Sequence, residues 1–259
     1  MKNKRKMLFM LVAAFCCVML FAVKAYAAPG TTEIPQVNIS FGDGTDSPQN
    51  YVTNIKILIF FTILTLLPSI VIMVTSFTRI VVVFSFLKTA IGVTQSIPSQ
   101  ILTGLAIFLT LFIMQPVYTE MNTNGIQPYI ENKITQEQAI EEISKPLKEF
   151  MAKETNQNDL QLFLDISNAD KDSINEPKDI PFTSLVPAFA ISELKTAFEI
   201  GFLIFLPFLV IDMVVSSVLM SMGMFMLPPT TVALPFKLIL FVMVNGWHLI
   251  VEKLIQGFM

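Results

Sequence analysis

Ionisable side chains within or beside long apolar runs are the residues of this sequence whose chemistry most needs an explanation. They are Arg79, Lys88, Glu193, Lys195, Glu199, Asp212 and Lys237. An ionised group at the centre of a bilayer costs roughly 3 kcal/mol or more, so each one needs a partner or water. The charges pair either within one chain on facing helices, or between protomers, where they fix the register of an assembly. A proton relay is the third alternative, although Asp212 shares its apolar run with no second deep carboxylate.

A second chemical feature is a set of methionines that alternate ahead of a double proline, in the string LMSMGMFMLPP at residues 219–229. Its members are Met220, Met222, Met224 and Met226. A spacing of two does not place four side chains on one helix face, and Gly223 and the prolines predict that the backbone turns here. One interpretation is an apolar turn at a membrane surface. The other is a deformable collar around a channel, because unbranched thioethers can reshape around a passing chain.

Catalytic signatures are absent from the sequence. It contains no HExxH, GxSxG, GxxxxGK[ST] or GxGxxG motif. The sole histidine, His248, follows Trp247 and has no Asp, Cys or Ser at a motif spacing, and Trp247 suits the aromatic belt of a membrane interface. We therefore expect neither an enzyme nor a metal or cofactor site.

The composition is that of a membrane protein or of an obligate subunit of an apolar assembly. Hydrophobic residues make up 53% of the 259 residues and charged residues 14%, against about 45–50% and about 25% in soluble domains. Beyond the N-terminal lysine cluster, acidic residues outnumber basic ones, which excludes nucleic-acid binding as the main function.

Residues 1–27 have the three parts of a secretory signal peptide. A basic start precedes the uncharged residues 7–23, and an Ala-Tyr-Ala sequence follows. An uncleaved signal anchor is the alternative. Both cysteines, Cys16 and Cys17, lie in this segment, so a cleaved chain has no thiol chemistry. Residues 28–50 read as an extended leader.

Four apolar runs, at residues 57–74, 101–117, 185–227 and 231–251, predict four membrane spans. We divide the mature chain into a first apolar hairpin region at 51–117, an acidic insert at 118–184 and a second apolar hairpin region at 185–259. The acidic insert holds 13 acidic and 6 basic residues. Because positive charge stays on the cytoplasmic side, we expect the leader and the insert outside, with Arg79 and Lys88 inside.

Helices are also predicted within the acidic insert. Thr135 and Gln138 can form a capping box, ahead of apolar residues at helical spacing, and Pro146 predicts a break in that helix. A second short apolar face contains Leu160 and Phe163. The two faces pack on each other or, in the interpretation we favour, at least one packs on a neighbouring subunit.

Long blocks of the sequence closely resemble the FliP family of flagellar type III export-gate proteins. The blocks are LVPAFAISELKTAFEIGFLIFLPFLVIDMVVSSVLMSMGMFMLPP at 185–229, ALPFKLILFVMVNGW at 233–247, TSFTRIVVVFSFLKTAIGVTQS at 75–96 and PLKEFM at 146–151. The resemblance covers residues 51–259. It implies a cleaved, all-α, membrane-associated subunit whose helical hairpins build a cone-shaped pentameric ring with FliQ and FliR, in the inner membrane at the flagellar basal body.

The resemblance also implies roles for individual residues. The family's methionine gasket maps onto Met220, Met222, Met224 and Met226, with Phe225 where many relatives have another methionine. Asn245 stands where many relatives have Asp. The resemblance further implies that the hairpins are buried in the cone, so that hydropathic runs need not cross the bilayer. Contacts between subunits are then expected at Arg79, Lys88, Glu193, Lys195, Asp212 and Lys237.

These inferences predict a pore-forming structural subunit that passes unfolded flagellar proteins through an apolar constriction, in contact with membrane lipid and other basal-body proteins. The alternative function is a multi-span transporter of small solutes or ions with Asp212 as its coupling site. No inverted repeat of the kind that many transporters carry is evident in the sequence.

Overall fold

The computed structural model of the chain describes residues 48–94, 96–167 and 176–258. The predicted signal peptide, its two cysteines and most of the leader lie outside the described residues. Contacts between Cα atoms divide the chain into two compact units, Met1–Ile59 and Phe60–Met259. In the first unit the described residues belong to the first helix, which begins at Pro48, within the predicted leader.

The described residues form helices and no strand, which confirms the all-α class. A π-helical turn at Met121–Ile126 and a 3₁₀ turn at Pro177–Asp179 supplement ten α-helices in the described ranges. These are α1 Pro48–Met73, α2 Phe77–Ile91, α3 Ser99–Ile113, α4 Gln115–Glu120, α5 Gln127–Ile130, α6 Gln136–Glu154, α7 Gln157–Ile166, α8 Phe182–Ser221, α9 Pro229–Met243 and α10 Gly246–Gln256.

The part of helix α1 that belongs to the second unit, residues 60–73, has an exposed apolar surface. Residues 60–73 are all exposed, and the helix continues through Pro68, which makes no buried contact. Residues 57–73 of α1 carry no charge, and an apolar helical segment of this length is suited to lipid or to another protein.

The main core lies where α2 packs against α8. Ile80, Val83, Phe84 and Leu87 of α2 are almost fully buried in it, together with Ala197 of α8. The two helices pack tightly at Gly201, where an added Cβ would lie 2.4 Å from Cδ2 of Phe86 and 3.1 Å from its Cβ. Gly201 therefore sets the distance between the two helices.

Replacing Gly201 with Ala is expected to destabilise the folded chain by about 1–3 kcal/mol, because the methyl group overlaps both the ring and the Cβ of Phe86. Gly104→Ala is the matched control, since a Cβ at Gly104 has nothing within 4 Å and alanine is the better helix former. Thermal unfolding in detergent should show a lower midpoint for the first variant and an unchanged or higher one for the second. Equal midpoints would show that α2 and α8 have room to separate.

The acidic insert folds mainly as helices α6 and α7. The predicted capping box is present, because Thr135 Oγ1 accepts a hydrogen bond from the Gln138 backbone N–H at 3.3 Å and Gln138 Oε1 accepts from the Thr135 N–H at 3.0 Å. The break predicted at Pro146 is wrong. Helix α6 runs through it, since a helix can tolerate the one lost backbone hydrogen bond when tertiary packing holds it, and Pro146 is buried.

A second apolar cluster fixes the acidic insert on the beginning of α8. Met151 of α6 and Leu164 of α7 are buried there with Leu185 and Phe189 of α8. The amphipathic helices of the insert thus pack on α8 of their own chain. The favoured contact with a neighbouring subunit remains a prediction.

Among the residues that the structure describes, two helical segments, Ile55–Met73 and Phe182–Ser221, are long and apolar enough to cross a membrane. Two bent helix pairs also qualify by length and composition: Ser99–Ile113 with Gln115–Ile130, bent by 54°, and Pro229–Met243 with Gly246–Gln256, bent by 60°. These segments coincide with the four predicted apolar runs. At 40 residues α8 is about 60 Å long, twice the roughly 30 Å of hydrocarbon in a bilayer.

Candidate functional site

Arg79 is the centre of a buried ionic cluster that joins distant parts of the sequence. Its Nε atom donates a hydrogen bond to Glu193 Oε2 at 2.9 Å, and its Nη2 atom donates to Glu193 Oε1 and, at 2.8 Å, to Glu154 Oε2. The Arg79 side chain is 5% exposed and that of Glu193 is fully buried. One planar guanidinium thus bonds carboxylates from α6 and α8, a geometry that a lysine ammonium does not reproduce.

Gly257 and Phe258, which follow α10, complete the Arg79 cluster. Nη1 of Arg79 donates to the Gly257 carbonyl oxygen at 3.2 Å. The guanidinium carbon lies 3.8 Å from the centre of the Phe258 ring, within the range of a cation–π interaction. Hereafter the Arg79 cluster means Arg79, Glu154, Glu193, Gly257 and Phe258.

The Arg79 cluster corrects the predicted membrane topology. Arg79 and Glu154, at the end of a helix of the acidic insert, are 2.8 Å apart, so they lie on the same side of a hydrocarbon layer about 30 Å thick. The expectation of Arg79 inside and the insert outside is therefore wrong. The rule used for it concerns lysine and arginine in loops next to the membrane, whereas two carboxylates neutralise Arg79.

A second ion pair lies further along α8. Lys237 Nζ, on α9, is 2.7 Å from Asp212 Oδ2 and donates to the Ala90 carbonyl oxygen at 3.1 Å. Lys237 is 7% exposed and Asp212 33%. The other carboxylate oxygen, Asp212 Oδ1, is buried and has no hydrogen-bond partner in the described part of the chain.

The remaining predicted charges are not drawn into either pair. Lys88 Nζ donates to the Ser99 hydroxyl at 3.2 Å, while Lys195 and Glu199 are exposed and line a polar cavity of about 300 Å³ beside α8. Four of the six predicted contact residues thus pair within the chain: Arg79, Glu193, Asp212 and Lys237. Contacts of the six between subunits stay a prediction.

Met222, Met224 and Met226 lie at a turn, as Gly223 and the double proline predicted, and Met220 lies in the last turn of the helix before it. Helix α8 ends at Ser221, Gly223 adopts a left-handed φ of 76°, and α9 begins at Pro229. The side chains of this methionine turn are exposed, from 38% at Met224 to 98% at Met226; the others are Met220, Met222 and Phe225. A large apolar surface is therefore exposed at the junction of two apolar helices. A surface of this kind is typical of a contact site for protein or lipid.

Trp247 and His248, at the start of α10, each contact a neighbouring side chain. The Trp247 ring packs edge-on against Phe241 at 5.4 Å between ring centroids. His248 Nδ1 lies 3.6 Å from Glu252 Oε2 on the exposed face of the same helix. Within the described ranges no group of three His, Cys, Asp or Glu residues is arranged to hold a metal ion.

Sequence reasoning missed Glu154, Gly257 and Phe258 as members of the Arg79 cluster. They are 75 to 179 positions from Arg79 along the chain, and hydrogen bonds at 75 and 178 positions reach two of them. Glu154 lies in a segment where thirteen acidic residues look alike. The position of Arg79 in an apolar run was the available indication of a buried cluster. It shows that Arg79 needs a partner but does not identify which residue that partner is.

Fold and site together define a helical membrane protein in which buried ion pairs tie long apolar helices together and an apolar turn is left uncovered. The profile of the FliP family matches residues 60–254, and the chain belongs to this family. It is 52% identical over 214 residues to the flagellar biosynthetic protein FliP of Bacillus subtilis (strain 168), covering 83% of this chain and 96% of that protein.

Two further relatives with the same name extend the similarity. The Aquifex aeolicus (strain VF5) protein is 47% identical over 227 residues, 88% of this chain and 93% of its own length. The protein of Caulobacter vibrioides (strain ATCC 19089 / CIP 103742 / CB 15) is 46% identical over 251 residues, 96% of this chain and 88% of its own length. The chain is thus a structural component of flagellar export and not an enzyme.

Proposed function

We propose that this chain is a pore-forming core subunit of the flagellar type III protein-export gate, and that the methionine turn lines the constriction through which unfolded substrates pass. Copies form a pentameric ring with FliQ and FliR in the inner membrane at the basal body, with the acidic insert on the periplasmic side. The exposed methionine turn is the observation that carries the proposal. The pentamer, the partners and the location rest on the family resemblance.

The uncovered apolar surface supports assembly with other proteins. In the most apolar stretch of α8, only 11% of the residues are buried. In α1, residues 60–73 are all exposed. Lipid covers part of such a surface, and subunits cover the rest in this proposal. The free acceptor Asp212 Oδ1 suits a hydrogen-bond donor from a neighbouring subunit, because a buried acceptor without a partner costs free energy.

The mechanism is passive. Side chains that project from a turn instead of a helix face can meet their counterparts around a central axis, and an apolar constriction opposes the passage of water and ions. Unbranched methionines deform around a polypeptide, whereas the ring of Phe225 is stiffer. Other components of the apparatus supply the driving force.

Changing Met222, Met224 and Met226 together to Ala is expected to make cells that assemble the complex leak small ions, because the shorter side chains leave the constriction open. Membrane permeability to ions is the measurement, with complex assembly checked in the same cells. Met213→Ala with Met243→Ala is the matched control, since both methionines are exposed but lie outside the turn. Unchanged permeability in an assembled complex would contradict the gasket.

The transporter alternative loses support from the surroundings of Asp212. Its carboxylate pairs with Lys237 of the same chain, so it is not an isolated acid in an apolar run. Membership of the FliP family also favours export over solute transport. Selective flux by the purified chain alone in liposomes would restore the alternative.

A further inference from the structure

We propose that Phe258 and the Gly257 carbonyl clamp the Arg79 guanidinium in the orientation that bonds Glu154 and Glu193, and thereby hold the acidic insert on α2 and α8. Phe258 is then a positioning residue, which acts on the insert through Arg79. This inference concerns the fold of one chain and stands independently of the pore.

The guanidinium of Arg79 is held on several sides. Two of its edges face carboxylates, a third donor reaches the Gly257 carbonyl at 3.2 Å, and one flat face lies on the Phe258 ring. A guanidinium with its donors bonded and one face covered has little freedom to rotate. Without the ring and the carbonyl, it could still pair with Glu193 but would lose the contacts that aim its Nη2 atom at Glu154.

Helix α6 makes two contacts with Phe258. The ring of Phe150 stacks on that of Phe258, with 6.1 Å between centroids and 20° between planes. Lys153 Nζ donates to the Phe258 carbonyl oxygen at 3.2 Å. Residues 150, 153 and 154 lie close together at the C-terminal end of α6. Phe258 therefore contacts both this end of the helix and Arg79.

The clamp is itself anchored by helix α10. Helix α10 is held in the main core by Ile250 and Leu254, and its last turn continues to the Gly257 N–H, which donates to the Lys253 carbonyl at 3.0 Å. The Gly257 carbonyl belongs to the set of helix-end acceptors that lack intrahelical partners and favour a nearby cation. The Arg79 guanidinium supplies both a hydrogen-bond donor and a positive charge to the Gly257 carbonyl. Phe258, the next residue, is 6% exposed.

The clamp makes the acidic insert and the long helix α8 move together. Glu193 and Ser221 are 28 residues apart on α8, which corresponds to about 42 Å of helix between the Arg79 cluster and the methionine turn. At Glu193 the clamp adds an ionic contact to the apolar cluster that packs the insert on the beginning of α8.

Hydrogen exchange on the full-length chain in detergent, compared with three variants, tests the clamp. Phe258→Leu keeps an apolar side chain and removes the ring face; we expect about tenfold faster exchange in residues 147–166, with residues 229–243 unchanged. Phe258→Tyr retains the ring and should stay within about threefold of the parent. Phe208→Leu, at a similarly buried site away from Arg79, should not accelerate residues 147–166 selectively.

Two outcomes would overturn the clamp. One is parent-like exchange in Phe258→Leu; the other is a uniform acceleration of all helices, as expected if Phe258 only fills the core. Should Phe258→Leu not fold, Lys153→Met provides the second test, because Lys153 is exposed and its loss removes the bond to the Phe258 carbonyl. We expect about threefold faster exchange in residues 147–166, and the same exchange as in the parent would reject the clamp.

Discussion

Replacing Arg79 with Met is expected to destabilise the folded chain by on the order of 3–5 kcal/mol. The reason is the fate of the carboxylates. Glu193 is fully buried and Glu154 is 9% exposed, and both would lose their cation while remaining close together. A loss of this size is a large fraction of the stability of a typical domain.

The amount of chain recovered from the membrane, its unfolding midpoint in detergent and cell motility should all fall in Arg79→Met. Lys88→Met is the matched control, since it removes the same charge from the same helix at a site whose partner is the Ser99 hydroxyl. We expect the control to stay within about 0.5 kcal/mol of the parent. Adding Glu154→Gln and Glu193→Gln to Arg79→Met should recover much of the lost stability, because no buried charge then remains in the Arg79 cluster.

Equal stability of Arg79→Met and the Lys88→Met control would show that the Arg79 cluster does not hold the fold. A stable Arg79→Met chain that fails only to form rings would instead support the predicted role of Arg79 between subunits. Measuring the isolated chain and the assembled complex separately distinguishes these results.

Replacing Asp212 with Ala is expected to block secretion and to destabilise the chain by about 2 kcal/mol or more. The substitution leaves the Lys237 ammonium 7% exposed, with the Ala90 carbonyl as its remaining hydrogen-bond acceptor. The cost is set below that of Arg79→Met because Asp212 is one third exposed, and solvent screens part of its interaction. Motility and the yield of assembled complex are the measurements.

Charge reversal sharpens the test of this pair. Asp212→Lys and Lys237→Asp should each fail alone, and the double variant should recover assembly if the pair is what matters. Co-expressing the two single variants separates a pair within the chain from one between chains. Recovery in the mixed cells would support contacts between subunits, while recovery only in the double variant would support the pair seen in the structure. Normal motility of Asp212→Ala would contradict a role for Asp212 in either pair, the one within the chain and the one between subunits.

Local features were predictable because neighbouring residues determine them. The capping box of Thr135 and Gln138 depends on a spacing of three residues, and the end of α8 near Gly223 depends on a glycine followed by two prolines. The positions of the apolar runs likewise follow from composition in windows of about 20 residues. Pro146 is the exception, since local chemistry predicted a break and packing of the insert kept the helix continuous.

By itself, the sequence determined that this protein is helical and apolar, that it lacks enzyme motifs, that its charges need partners and that the backbone turns near Gly223. The tertiary structure alone decided which partners those charges have. Arg79 binds residues 75, 114 and 178 positions away, and the acidic insert lies beside Arg79 instead of across the membrane from it. The physical reason is that a buried charge requires compensation but accepts any carboxylate, and packing of α2, α6 and α8 determines which carboxylate is within reach.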